Sequence, residues 1–226
     1  QVSSIKVDDM LVQHTSRFVT NEGTKASSVI AIVLGSGLRE VFYNAGAELV
    51  VEGGPTHNPS TAEIMAAVET VASSQVIILP NHKNVYPAAV QAAERAQKKI
   101  TVLKTSSVPE GLSALLAYME DATYEDNLGR MERAFDSVRS GETAVASRSV
   151  TAGPVKVTAG DSIGIYKGEI RCSSSSVEET VSRLVESMLE PSSEIITLIY
   201  GASIRKEEAQ SLRSTIQGLF PAKVVE

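Results

Sequence analysis

Four short apolar runs, each closed by a Gly, Pro or polar break and followed by an amphipathic stretch, set the strongest limit on how this chain can fold. The runs are Val29–Leu34, Ala47–Val51, Gln75–Leu79 and Lys99–Leu103. They do not alternate polar with apolar, which is the pattern of strands covered on both faces. The breaks are Gly35-Ser36-Gly37, Gly53-Gly54-Pro55, Pro80-Asn81-His82-Lys83-Asn84 and Thr105–Ser107. Helical stretches follow at Leu38–Ala45, after Ser60, at Val85–Lys98 and at Val108–Met119. This alternation predicts a parallel sheet with right-handed crossovers and helices on both faces. It also gathers the four loops at one edge, beyond the carboxyl ends of the strands, where ligands and partners collect.

The pattern changes near residue 140. Ala122–Arg139 reads as one further helix, with Leu128, Met131, Ala134, Phe135 and Val138 at three- and four-residue spacing, ended by Ser140-Gly141. Short strands are expected at Ala144–Ser149, Val155–Val157, Ser162–Tyr166 and Glu169–Cys172, the last two joined by Lys167-Gly168 as a hairpin turn. A helix from Val177 to Leu189 follows, with Ser176 and Glu179 in capping-box spacing. Ile195–Tyr200 reads as a buried strand, Lys206–Leu219 as a helix, and Val224-Val225 as the start of a last strand. The expected fold class is therefore α/β, with two α/β subdomains over 29–140 and 141–226. Residues 1–28 are polar and read as a tail or linker, with a strand end and short helix over Ser3–His14.

Charge and cysteine usage narrow the function classes. The net charge is −6 and no basic run occurs, which argues against duplex nucleic acid and anionic membrane as partners. The single cysteine, Cys172, excludes an internal disulfide framework and fits a reducing cytoplasm. It lies at a strand end with no nearby His and reads as a buried thiol rather than a nucleophile. His14, His57 and His82 are not at metal-ligand spacing, so no metal site is expected. Glu120, Asp121, Glu125 and Asp126 read as a solvated turn. No apolar run approaches the roughly 20 residues of a membrane span, and no signal peptide is expected. The chain begins at Gln1, as a piece of something longer would.

The loop that organises the chain runs from Val50 to Met65. Gly53-Gly54 does not match the dinucleotide fingerprint, Gly35-Ser36-Gly37 lacks its third Gly, and no P-loop pattern is present. Thr56, His57 and Asn58 form a polar cluster at an expected helix N-terminus, where backbone N–H groups favour a carboxylate or phosphate. Asn81 and Lys83 lie in the neighbouring loop. A plainer reading has Asn58 or Ser60 capping the helix, with Glu63 three after Ser60, and Lys83 solvated. The candidate binding cluster is thus Gly53, Gly54, Thr56, His57, Asn58, Ser60, Asn81 and Lys83, with no catalytic residue.

Four blocks carry a family resemblance: Ile5-Lys6-Val7-Asp8-Asp9-Met10 with Gln13-His14, Val50 to Thr61, Ile77 to Asn84, and Gly160-Asp161-Ser162-Ile163-Gly164-Ile165. Together they resemble the C-terminal, DegV-like region of the bacterial fatty acid kinase A subunit, of the dihydroxyacetone-kinase-like family, over nearly the whole chain. Thr56-His57-Asn58-Pro59-Ser60 looks like the hydroxyl-rich pattern with which DegV-type carriers hold an acyl carboxylate; the second position is His57 rather than a hydroxyl. The resemblance implies a cytoplasmic module of a kinase of phospholipid synthesis. That module docks a DegV-like fatty-acid-binding protein, while ATP and magnesium sit on a separate N-terminal domain. It implies no cofactor and no catalysis in this stretch alone, and it leaves room for a homodimer. Two rival readings are a domain that binds a fatty acid or small acid itself, and a dihydroxyacetone-kinase-like phosphotransferase domain.

Overall fold

The computed structural model describes residues 27–53, 58–201 and 204–226. The expected tail over residues 1–26 lies outside the described residues. The fold is α/β. Strands β1 (Ser28–Leu34), β2 (Leu49–Gly53), β3 (Gln75–Leu79) and β4 (Lys99–Val102) form one sheet in the order β2-β1-β3-β4. All three pairings are parallel, with Ile30 opposite Leu49, Val29 opposite Ile77 and Gln75 opposite Lys99. The four-stranded parallel sheet expected from the apolar runs is present.

Helices cover both faces, and the strand side chains sort between them. Val29, Ala31 and Val33 of β1 pack with α1 (Ser36–Asn44), α4 (Val108–Leu116) and α5 (Tyr124–Asp136), around Phe42, Leu115 and Met131. Ile30 and Ile32, one residue out of phase, pack with α2 (Thr61–Thr70) and α3 (Tyr86–Arg95), around Ile64, Val68 and Ala89. The period of two turns alternate residues to opposite faces, so a strand apolar throughout is the one that two helical layers require. Each fully buried Ile or Val here contributes about 1.5–3 kcal/mol.

After α5 the pairing becomes antiparallel. Strands β5 (Gly141–Val145), β8 (Ser162–Tyr166) and β9 (Glu169–Ser174) form a sheet in the order β5-β8-β9. A small hairpin joins β6 (Val150–Ala152) to β7 (Val155–Val157). Helix α6 (Val177–Met188) packs on the three-stranded sheet, and α7 (Lys206–Leu219) lies with β10 (Ile195–Ile196) and β11 (Val224–Val225), a parallel pair.

Several boundaries differ from the sequence reading, each for a local reason. The expected helix at 122–139 runs from Tyr124 to Asp136, because Thr123 caps it by accepting from the Asp126 N–H. Gly141, read as the stop of that helix, instead opens β5, where a Cβ would stand 2.5 Å from the Met188 sulfur. The strand expected at Ala144–Ser149 is therefore displaced toward Gly141. Strand β6 has no counterpart in the sequence reading; Gly153, at φ 57°, and Pro154 turn it back onto β7. Ile195–Tyr200, expected as a buried strand, shortens to the two-residue β10, and Ile195, Ile199 and Tyr200 are exposed.

Candidate functional site

Sheet order fixes where a site can form. The chain leaves β1 for β2 on one side, then crosses to β3 and β4 on the other. The switch in direction falls between β1 and β3, and a crevice beyond the carboxyl ends of such strands is the usual ligand position. The described residues there converge on Asn81. Its backbone is left-handed, with φ 56°, a conformation Asn adopts more readily than most side chains. Its side chain is almost fully buried, at 4% exposure.

Asn81 spans the switch point. Its Nδ2 donates to the Ile32 carbonyl of β1 at 3.1 Å. Its backbone N–H donates to Thr105 Oγ1 at 3.1 Å, and the Thr105 hydroxyl donates back to Asn81 Oδ1 at 2.9 Å. The loops after β3 and β4 are thus tied to the end of β1 by three hydrogen bonds among buried groups, each pairing a polar atom that would be costly left alone. On the far side stands Gly111 in α4, where a Cβ would fall 1.7 Å from Asn81 Oδ1. Only a residue without Cβ lets the helix approach so closely. Asn81 and Gly111 therefore fill the space between the strand ends and the first turns of α4.

The neighbouring loops join the same edge. The Gly35 N–H, at φ 102°, donates to the Gly53 carbonyl at 3.2 Å, tying the ends of β1 and β2. His82 Nδ1 accepts from the Asn84 N–H, and the His82 carbonyl accepts from the Val85 and Tyr86 N–H groups, closing the turn into α3. Lys83 is exposed on that turn and makes no ion pair among the described residues.

Of the eight candidate residues, the structure brings Gly53 and Asn81 to the end of β1. Gly54, Thr56 and His57 lie outside the described residues. Asn58 is exposed. Ser60 is engaged in the cap of α2: its Oγ accepts from the Glu63 N–H, and the Glu63 carboxylate accepts from the Ser60 N–H at 2.7 Å. That carboxylate places negative charge in the first turn, which supports the capping reading at this helix end over capture of an anion there. The sequence reading placed Thr105 in an edge loop but gave it no role, and it missed Gly111. The signal for Gly111 was present: a Gly inside an otherwise apolar helix marks close approach by something else.

Two buried groups away from this edge have pKa values raised by burial. Burial pushes the Tyr124 phenol up, against smaller downward pulls from its hydrogen bonding with Thr101 and from Lys99, whose ammonium lies 4.5 Å from the ring centre. Burial likewise pushes the Cys172 thiol up, which makes it a poor nucleophile. Among the described residues no His, Cys, Asp and Glu cluster has a metal-holding arrangement, and no helix is long and apolar enough to cross a membrane.

Comparison with known proteins places the chain. The C-terminal model of the FakA-like family, the fatty acid kinase A subunit-like proteins, matches residues 28–226. Protein YloV of Bacillus subtilis is 32% identical over 236 residues, covering 100% of this chain and 42% of its own length. An uncharacterized protein of Staphylococcus saprophyticus is 33% identical over 232 residues, covering 98% of this chain and 42% of its own length. One of Staphylococcus haemolyticus is 33% identical over 215 residues, covering 95% and 39%. This chain thus spans well under half the length of these relatives. The match over residues 28–226, with the switch-point Asn81 inside it, shows that the chain belongs to the FakA-like, fatty acid kinase family and corresponds to its C-terminal domain.

Proposed function

We propose that this domain is a docking module of a fatty acid kinase, receiving a DegV-like fatty-acid-binding protein at the carboxyl edge of the parallel sheet. Acyl phosphorylation would draw on ATP and magnesium held by a separate N-terminal domain. The observation that carries the reading is the filled switch point. In open α/β sheets a small ligand enters between the diverging strands; here Asn81, Thr105 and the close approach of Gly111 occupy that position. Among the described residues the space between these strand ends is taken up by side chains, which suits the surface of a macromolecule better than an acyl carboxylate and sets this reading above the rival of a fatty-acid-binding domain. Family membership supplies the kinase context. The module's contribution to phosphoryl transfer is then proximity, presenting the carrier's carboxylate to ATP elsewhere.

Purified chain mixed with acyl-loaded DegV-like carrier and run through size-exclusion chromatography tests this. Co-elution is expected, with acyl phosphate formed from ATP only after the remainder of the kinase is supplied. Fatty acid retained by the chain alone in native mass spectrometry supports the lipid-binding rival instead. ATP turnover by the chain alone supports the phosphotransferase rival.

A further inference from the structure

We propose a second site, separate in kind from the docking edge: an oxyanion-binding cavity between the β6–β7 hairpin and β9, held by Lys156, Arg171 and Arg183. The cavity has a volume of about 390 Å³, and all three cations line it. No acidic side chain belongs to its lining. In a chain of net charge −6, three cations converging on one concavity from three separate elements is a specific arrangement rather than a general basic surface.

Each cation is prepared differently. The Arg171 guanidinium is steadied by Glu169 at 3.0 Å and lies 5.9 Å from the centre of the Tyr166 ring. Arg183 is held by Glu179 one turn away on α6. A guanidinium carries five donors in a fixed fork, so one carboxylate leaves donors for a second oxyanion. Lys156 makes no ion pair among the described residues. Its charge is the one most available to a ligand. Ser173 also lines the cavity, and its hydroxyl is donated to Asp161 Oδ2 at 3.3 Å. Recognition therefore falls to the cations.

The chemistry selects a phosphate group over a carboxylate. Two forks and an ammonium offer donors from three directions, enough to meet the three oxygens of a phosphate group and more than the two oxygens of a carboxylate use. The wall is completed by Pro154 and Val155, which offer an apolar side for a short organic group. The ligand class is thus a phosphate monoester of a small molecule.

The test titrates inorganic phosphate, propyl phosphate and acetate into the 226-residue chain at constant ionic strength, following the amide resonances of Arg171, Cys172 and Ser173. Saturable shifts with either phosphate are expected, with acetate about tenfold weaker or worse. Tighter binding of propyl phosphate assigns the ester, and tighter binding of inorganic phosphate overturns the ester while keeping the oxyanion site. Lys156→Ala is expected to weaken phosphate about tenfold with an unchanged melting midpoint, and Arg171→Lys to weaken it less than Arg171→Ala. Shifts that grow linearly without saturation overturn the proposal, as does Lys156→Ala binding phosphate like the unaltered chain.

Discussion

Asn81 and Gly111 meet at the end of β1, and Asn81 has a local sequence context that marks it. Asn81 stood in a Pro-Asn-His-Lys-Asn break after a strand, a context that draws attention to polar residues. Its role as a buried clamp, rather than as an exposed ligand, depends on Ile32 and Thr105, which lie 49 and 24 residues away in the chain. No local pattern carries that. Their coupling is measurable. Gly111→Ala should destabilise by about 1–3 kcal/mol, the usual range for overpacking. In an Asn81→Gly background, which keeps the left-handed backbone and removes the obstructing amide, the added cost of Gly111→Ala should shrink to well under half. Urea unfolding of the four proteins in this cycle gives the coupling directly; full additivity would mean that the two positions do not meet.

At the scale of elements, strands and helices were legible where an apolar period coincided with a stop signal. The Ser60–Glu63 capping box, the bounds of β3 and the Lys167-Gly168 hairpin all had such signals. Strand β6 lacked one, because Val150–Ala152 is three residues long and finds its stability in pairing rather than pattern. The hairpin itself makes a prediction. Lys167 sits at φ 54° and Gly168 at φ 80°, a turn that favours Asn at the first position. Lys167→Asn relieves left-handed strain and loses a weak contact of the Lys167 ammonium with the Tyr166 ring, for a net gain of about 0.5 kcal/mol in denaturant unfolding.

Helix α5 makes a pH prediction through Tyr124. Burial raises its phenol above the ordinary value, so the folded chain holds that proton to higher pH than the unfolded chain does. The associated stability is complete below the unfolded phenol's pKa of about 10 and is lost as pH rises beyond it. Tyr124→Phe removes the hydrogen bonds to Thr101 and Val76 and costs about 1 kcal/mol at pH 7. Between pH 9 and 11 the melting midpoint of Tyr124→Phe should fall less than that of the unaltered chain. An equal or steeper fall in the variant would contradict the raised phenol.

For the whole molecule, the parallel topology followed from the repeated unit, whereas the cavity of Lys156, Arg171 and Arg183 did not. Those residues are separated by 15 and 12 positions and meet only through the packing of β7 and α6 against β9. The proposed docking face for a fatty-acid carrier is the carboxyl edge of the parallel sheet. Calorimetric titration of the chain with an acyl-loaded DegV-like carrier, paired with amide cross-saturation from carrier to chain, tests it most directly. Saturable association is expected, with saturation transferred to the amides of residues 35–37 and 81–84. Absence of association, or transfer confined to the antiparallel sheet, would contradict it.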